Sequence, residues 1–274
     1  MSTDIKSWVP ELKRISAAAG EAILTVYRQL QTTQVHYKDD ASPVTAADWE
    51  AHQCIQQGLQ QLTPGVPQLS EEAAAIPWVE RSQWSRFWLI DPLDGTKEFL
   101  AANDEFTVNI AWIDQGRPLL GVIYQPVTQT WWWGGQGLGA WKQQGSGDAV
   151  AIRTRSLALP QLEVLTSHRH GLEKLQAWLA SMRQQRLDIQ ARPLGSSLKF
   201  CHLAEGLADA YPRLGPTGEW DTAAAHALLQ AAGGDILTWQ LEPLRYNQQI
   251  KPVNPNFIAL ADLQAPWREW LGVS

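Results

Sequence analysis

The run Phe87-Trp88-Leu89-Ile90-Asp91-Pro92-Leu93-Asp94-Gly95-Thr96 constrains this chain more than any other stretch. Four apolar residues read as a short buried strand, and they lead directly into two aspartates. Proline cannot extend a strand ladder, so the strand is expected to stop near Asp91, leaving both carboxylates on the turn at its end. Glycine and threonine then open a short helix. Two like charges roughly 4 Å apart repel by about 4 kcal/mol at an effective dielectric near 20. A tight turn keeps such a pair when a positive group sits between them or when one carboxyl stays protonated. Hard divalent cations suit that position, since carboxylates and backbone carbonyls are their preferred ligands.

With 274 residues, the chain is expected to form one large domain or two packed lobes. Its 45% apolar content is ample for a core. A net charge of −6 argues against non-specific nucleic-acid binding, so an anionic substrate would need bound cations to attract it. Cys54 and Cys201 lie far apart without metal-ligand spacing, which favours two inert thiols in a reducing compartment. Asp4, Lys6, Glu11, Lys13, Arg14 and Glu21 leave no room for a signal-peptide core. No apolar run approaches the roughly 20 residues of a membrane span. The expectation is a cytoplasmic protein without an integral membrane segment; peripheral inner-membrane association stays open.

Leu12, Ile15, Ala19, Ile23, Val26 and Leu30 recur at helical spacing, predicting a helix over 4–30 with Pro10 in its first turn. A strand is expected over 32–37, then a loop, then a helix to about residue 62 capped by Thr45 with Asp48 in its first turn. A short strand over 66–69 would end at Ser70-Glu71-Glu72. Residues 106–141 read as a strand meander turning at Asp114-Gln115-Gly116-Arg117. In the second half strands and helices alternate: strands over 162–166, 187–192 and 208–211, helices over 172–182, 196–204 and 221–232. Strands near Ile236 and Phe257 and a helix near Trp267 follow, and Gly233-Gly234 stops the helix before them. A strand-rich half followed by alternation implies layered α/β architecture with two sheets.

Asp48, Glu71, Asp91, Asp94 and Asp221 are the acids of interest. Glu71, Asp91 and Asp221 fall where a strand ends or a helix begins, the edges at which ligands collect in open α/β sheets. Taken singly, each is as well read as a cap or turn former. Together, Ser70-Glu71-Glu72, Trp88 to Thr96, and Trp220-Asp221-Thr222-Ala223-Ala224-Ala225 resemble the signatures of the inositol-monophosphatase-like superfamily of magnesium-dependent, lithium-sensitive phosphatases. Pro43-Val44-Thr45-Ala46-Ala47-Asp48 matches as well, and the matches keep family order over 38–258. Ala225 departs from the family's usual glycine.

The resemblance implies an αβαβα sandwich with two sheets and helices between and outside them. It further implies a 1–155 N-terminal α+β lobe carrying most metal ligands and a 156–274 C-terminal α/β lobe completing the site, the two acting as one unit. Glu71, Asp91 and the Leu93 carbonyl would hold one Mg2+, and Asp91, Asp94 and Asp221 a second; a third through Glu71 stays open. One ion would activate a water and the other steady the leaving oxygen. Thr96, bonded to Asp48, would orient that water with help from Glu71. Leu93, Asp94, Gly95, Thr96 and Asp221 would also contact substrate, with Gly95 and Thr96 N–H groups holding the transferring phosphate.

Within the superfamily, Gly195-Ser196-Ser197-Leu198-Lys199-Phe200-Cys201 and Tyr211-Pro212-Arg213-Leu214-Gly215-Pro216-Thr217 resemble the bacterial 3′(2′),5′-bisphosphate nucleotidases of sulfur assimilation. That resemblance implies hydrolysis of the 3′-phosphate of 3′-phosphoadenosine 5′-phosphate, extending plausibly to its sulfated analogue. Ser196, Lys199 and Arg213 would face the substrate; an arginine favours a second phosphate, which its planar fork binds bidentately. The bland reading of Lys199 and Arg213 is surface charge. His168 or His170 would lie near the nucleotide or simply on the surface. Alternatives are an inositol or sugar-phosphate phosphatase and a non-catalytic magnesium-dependent nucleotide-binding protein. A homodimer is left open.

Three look-alikes fail. Haloacid-dehalogenase phosphatases need two aspartates one residue apart, whereas two residues separate Asp91 from Asp94. Residues 134–139 are glycine-rich but do not spell a dinucleotide fingerprint opening a helix. Trp131-Trp132-Trp133 could stack on a base, but strand alternation turns Trp132 opposite to its neighbours, favouring packing.

Overall fold

The apolar spacing of the N-terminal region produces a long helix, α1 (Val9–Thr32), preceded by a single 3-10 turn (Ile5–Trp8). Leu12, Ile15, Ala19 and Ile23 are fully buried along one face. The next helix, α2 (Pro43–Leu62), buries Ala47, Ala51, Ile55 and Leu59 at four-residue intervals and lies against α1. The structure, a computed structural model, describes residues 4–32, 43–73, 76–168 and 172–273. Helix α2 therefore starts two residues before the expected Thr45 cap, with Pro43 at a first-turn position that tolerates its missing N–H, and Asp48 sits beyond the first turn. Of the strand expected over 32–37, Thr32 closes α1 and the rest lies outside the described residues.

The first sheet follows. Strand β1 (Gln68–Ser70) runs into a 3-10 turn at Glu71–Ala73, and a one-turn helix, α3 (Trp78–Arg81), leads to β2 (Arg86–Asp94). After the short helix α4 (Thr96–Leu100) come β3 (Thr107–Asp114), β4 (Arg117–Gln125), β5 (Thr130–Gly135), β6 (Gly139–Gln144) and β7 (Val150–Ile152). Among the described residues these seven strands lie in sequence order, with β1 parallel to β2 and every later pair antiparallel.

The second sheet uses β8 (Gln161–Thr166), α5 (Leu172–Gln184), β9 (Asp188–Pro193), α6 (Leu198–Ala204), β10 (Ala210–Arg213), α7 (Trp220–Ala232), β11 (Asp235–Thr238), β12 (Phe257–Leu260) and α8 (Trp267–Trp270). Its strand order is β11-β12-β10-β8-β9. Helices α6 and α7 fill the space between the sheets, α1 and α2 cover the outer face of the first, and α5 and α8 pack with the outer face of the second. The result is the expected αβαβα sandwich.

Strand alternation explains the placement of the central motif. Phe87 and Leu89 point into the inter-sheet core with Ala223, Ala224 and Leu228 of α7. Trp88 and Ile90 point the other way, against α1 and α2. Both faces are covered, so the strand is apolar throughout. By the same period of two, Asp91 shares the face of Leu89 and looks toward α7.

The strand does not stop at Asp91, as the proline suggested; β2 continues to Asp94. The β2–β3 register shifts between Asp91 and Asp94, so Pro92 sits in the irregular stretch. On the other side, β1 pairs with β2 only as far as Ile90. Pro92 is thus never asked for a ladder hydrogen bond. The tryptophan run behaves as alternation requires: Trp132 joins the inter-sheet core, while Trp131 and Trp133 pack toward α1 with Lys13 over both rings. Cys54 and Cys201 are unpaired thiols.

Candidate active site

Three elements deliver the acids. Glu71 follows the end of β1, Asp91 lies in the irregular stretch of β2, and Asp221 is the second residue of α7. One carboxylate oxygen from each falls within 4.8 Å of the others, forming a cluster able to hold a divalent cation. Asp94 stands beside this trio, and its Oδ2 accepts from Ser196 Oγ at 2.7 Å and Ser197 Oγ at 2.9 Å. The α7 helix reaches the first sheet because β4 offers Gly121 there: a Cβ at that position would lie 2.0 Å from the Ala224 carbonyl oxygen. Ala225, where the resemblance anticipated glycine, is buried in the same small-residue seam.

The electrostatics test whether a cation fits. Asp91 Oδ1 accepts from the Leu93 N–H, but Oδ2 is buried with no hydrogen-bond partner. An orphaned buried carboxylate oxygen facing other acids is unfavourable unless a cation or a proton joins it. Burial first, then the neighbouring charges of Glu71, Asp94, Asp221 and Asp48, push the Asp91 carboxyl well above the ordinary range. Asp221 is pushed up by burial and by Asp94 and Glu71, with Arg213 opposing. Although Glu71 is open along one side, its carboxyl lies among the acids and is pushed up to about 7, chiefly by burial and Asp94. Asp48 is pushed up to about 8 by burial and by Glu72 and Glu71. The oxygen-only donor set, the orphaned atom and the accumulated repulsion all fit a hard divalent cation.

Glu71, Asp91, Asp94 and Asp221 floor a cavity of about 220 Å³, with Thr96, His168, Lys199 and Arg213 on its walls. Gly95 holds a left-handed conformation, φ +96°, which turns the chain from β2 into α4. A Cβ there would also lie 2.8 Å from the Glu105 carbonyl oxygen. Arg213 donates to Ser167 Oγ at 2.8 Å and to the Pro216 carbonyl at 2.9 Å, which fixes its guanidinium at the cavity wall. Lys199 is buried rather than surface charge. Its Nζ donates to the Leu194 carbonyl at 3.0 Å and the Ser196 carbonyl at 2.6 Å, bracing that loop and leaving one of three donors. Ser196, at φ +50°, turns its hydroxyl to Asp94.

Thr96 lines the cavity, but no hydrogen bond joins it to Asp48 among the described residues. His168 lines the cavity with Nε2 2.8 Å from Glu105 Oε2; His170 lies outside the described residues. Reading by residue type missed Glu105, whose Oε2 also accepts from the Gly195 N–H at 2.6 Å, and missed Asn109 and Ser197, which support Asp94. Glu105 sits in an unpatterned loop; Asn109, a buried amide within an apolar strand, was the one visible signal.

A layered αβαβα protein that pools buried carboxylates between two sheets, with an arginine and a lysine on the cavity wall, is of the class that handles phosphate esters with divalent cations. The chain belongs to the inositol monophosphatase family, whose model matches residues 5–267. It is 48% identical over 244 residues to the 3′(2′),5′-bisphosphate nucleotidase CysQ of Escherichia coli K12, spanning 89% of this chain and 96% of that protein. A CysQ from Buchnera aphidicola is 38% identical over 258 residues, spanning 93% of this chain and 94% of the relative. The crystal structure of CysQ from Bacteroides thetaiotaomicron, described as a bacterial member of the inositol monophosphatase family, superposes with a TM-score of 0.81 at 34% identity, covering 95% of this chain and 99% of that one. Among the described residues no helix is long and apolar enough to cross a membrane.

Proposed function

We propose that this chain is a 3′(2′),5′-bisphosphate nucleotidase that hydrolyses the 3′-phosphate of 3′-phosphoadenosine 5′-phosphate to give AMP and phosphate, with Mg2+ as the cation. The observation that carries the reading is the convergence of Glu71, Asp91 and Asp221, three carboxylates from separate elements within 4.8 Å, with Arg213 at the same cavity. Its likeness to CysQ proteins over most of its length supports the substrate class. The sulfated analogue, which keeps the 3′-phosphate and differs only at the 5′ end, is a second substrate under this reading.

Glu71, Asp91, Asp94, Asp221 and the Leu93 carbonyl would hold two Mg2+ ions, a third drawing on Glu71. Bound there, they would supply a lowered pKa for an attacking water and positive charge at the scissile ester. The remaining work belongs to the chain. Thr96 presents a hydroxyl at the cavity wall to orient that water. Asp48, pushed up to about 8 by burial and the charges of Glu72 and Glu71 in the metal-free site, would receive the water's proton, and the carboxyl of Glu71 would assist. The N–H groups of Gly95 and Thr96 point the transferring phosphate toward the acids. Arg213, held by Ser167 and Pro216, receives the second phosphate as a pre-set fork, and the positive charge of Lys199 adds to it.

Phosphate release across a small panel tests this: the bisphosphonucleotide, its sulfated analogue and inositol 1-phosphate, each with and without magnesium. Preferred, magnesium-dependent turnover of the bisphosphonucleotide is expected. Arg213→Glu should lower kcat/KM for that substrate by about 10- to 100-fold, the worth of a charge-assisted bond, and spare inositol 1-phosphate. Faster release from inositol 1-phosphate by the unaltered protein would make it an inositol phosphatase instead. Magnesium-dependent nucleotide binding with no phosphate released would make it a sensor.

A further inference from the structure

We infer that Asn109 and Ser197 act as a positioning pair that fixes Asp94 as a one-oxygen ligand. The inference rests on the proposed role of Asp94 as a ligand. Both side chains are buried, Asn109 on β3 of the first sheet and Ser197 at the entry to α6.

Proton counting fixes the bonds that reach Asp94 Oδ2. Asn109 Oδ1 faces the Thr107 hydroxyl at 3.1 Å, which also meets Ser196 Oγ at 2.7 Å, and its Nδ2 donates to Ser197 Oγ at 2.9 Å. A flipped amide would set an acceptor against Asp94 Oδ2, which lies 3.4 Å from Nδ2, so this orientation is the consistent one. Ser197 Oγ has a single proton and two acceptors in reach, Asp94 Oδ2 at 2.9 Å and the Asp221 carbonyl at 3.1 Å. The carboxylate is the stronger acceptor and takes it. Ser196 Oγ gives its proton to the same oxygen at 2.7 Å, and Thr107 in turn donates to Ser196 at 2.7 Å.

Asp94 Oδ2 is thereby saturated, and only Oδ1 remains for a cation in the cavity that Asp94 lines. The pair does more than hold one side chain. It fastens β3 to the α6 entry, whose Ser197 Oγ lies 3.1 Å from the Asp221 carbonyl at the start of α7. A carboxylate that could swing to offer both oxygens would lose that definition. Partners of this kind change metal affinity by about 10- to 100-fold when removed.

The test is Mn2+ binding to the full chain, followed by electron paramagnetic resonance without substrate, for the unaltered protein, Ser197→Ala, Asn109→Ala and the double variant. Each single variant should weaken one class of Mn2+ site by about tenfold or more. The double variant should weaken it no further than the worse single, because both act through one oxygen. Should Ser197→Ala fail to fold, Asn109→Thr, β-branched and suited to a strand, carries the same measurement. Mn2+ affinity equal to that of the unaltered protein, with only the melting temperature lowered, would overturn the inference, as would additive losses in the double variant. Phosphate release by the unaltered protein is read separately. If it binds Mn2+ but hydrolyses nothing, the proposed activity falls, while weakened binding in the variants still supports this role for the pair.

Discussion

Asp91 is the residue at which folding and function pull against each other. Its Oδ2 is buried and unpartnered, and four neighbouring acids add to the burial that disfavours its charge. Such strain persists in a native structure when a ligand relieves it. Asp91→Asn removes the charge, keeps the shape and lets the amide donate toward the other acids. The expected outcome is loss of magnesium-dependent phosphate release together with a higher melting temperature than the unaltered protein in chelator at pH 8, read by calorimetry. A lower melting temperature would mean that the charged form contributes to the fold without a cation. Sequence reading reached this residue easily, because an acid after an apolar strand and before a proline is conspicuous. It did not reach Asn109, Ser197 or Glu105, whose roles lie in what they touch 15 to 103 residues away.

Among elements, α7 sets the site. It carries Asp221 on its first turn and packs against β3, β4 and β5 of the first sheet as well as β11 of the second. The contact with β4 is so close that Gly121 meets the backbone of Ala224, not a side chain that could move aside. Gly121→Ala should therefore displace the helix or strand and cost about 3 kcal/mol of unfolding free energy, read by urea titration, with a larger loss of Mg2+ affinity than of stability. The helix run itself was legible, from 221 to the glycine pair at 233–234. The strand carrying the aspartates was read three residues short, because proline signals a strand end while pairing on each side decides whether a proline matters. Beyond Ile90 the β1 side is unpaired and the β3 register is broken, so the ladder tolerates Pro92.

At the scale of the molecule, the acids make stability depend on pH in an unusual sense. Glu71 is raised to about 7, Asp48 to about 8, and Asp91 and Asp221 are raised well above the ordinary carboxylate range, chiefly by burial. Groups that hold protons more tightly when folded stabilise fully below their unfolded values, near 4, and lose that contribution as pH rises through the folded ones. The metal-free protein should melt at a lower temperature at pH 8 than at pH 5, and added Mg2+ should raise the melting temperature more at pH 8. Scanning calorimetry with chelator and with Mg2+ checks both; equal Mg2+ shifts at the two pH values would refute the account. The sequence alone determined the helices, most strands, the two-sheet layering and the identity of the acids, because periodicity and turn chemistry are local and a five-acid pattern in family order is specific. Only the tertiary structure decided that Asp94 has one oxygen already committed, that Lys199 braces a loop from within, and that Asp221 comes within 4.8 Å of Asp91 and Glu71. Those facts depend on how closely two sheets approach across one helix, a distance set by packing between residues far apart in the chain.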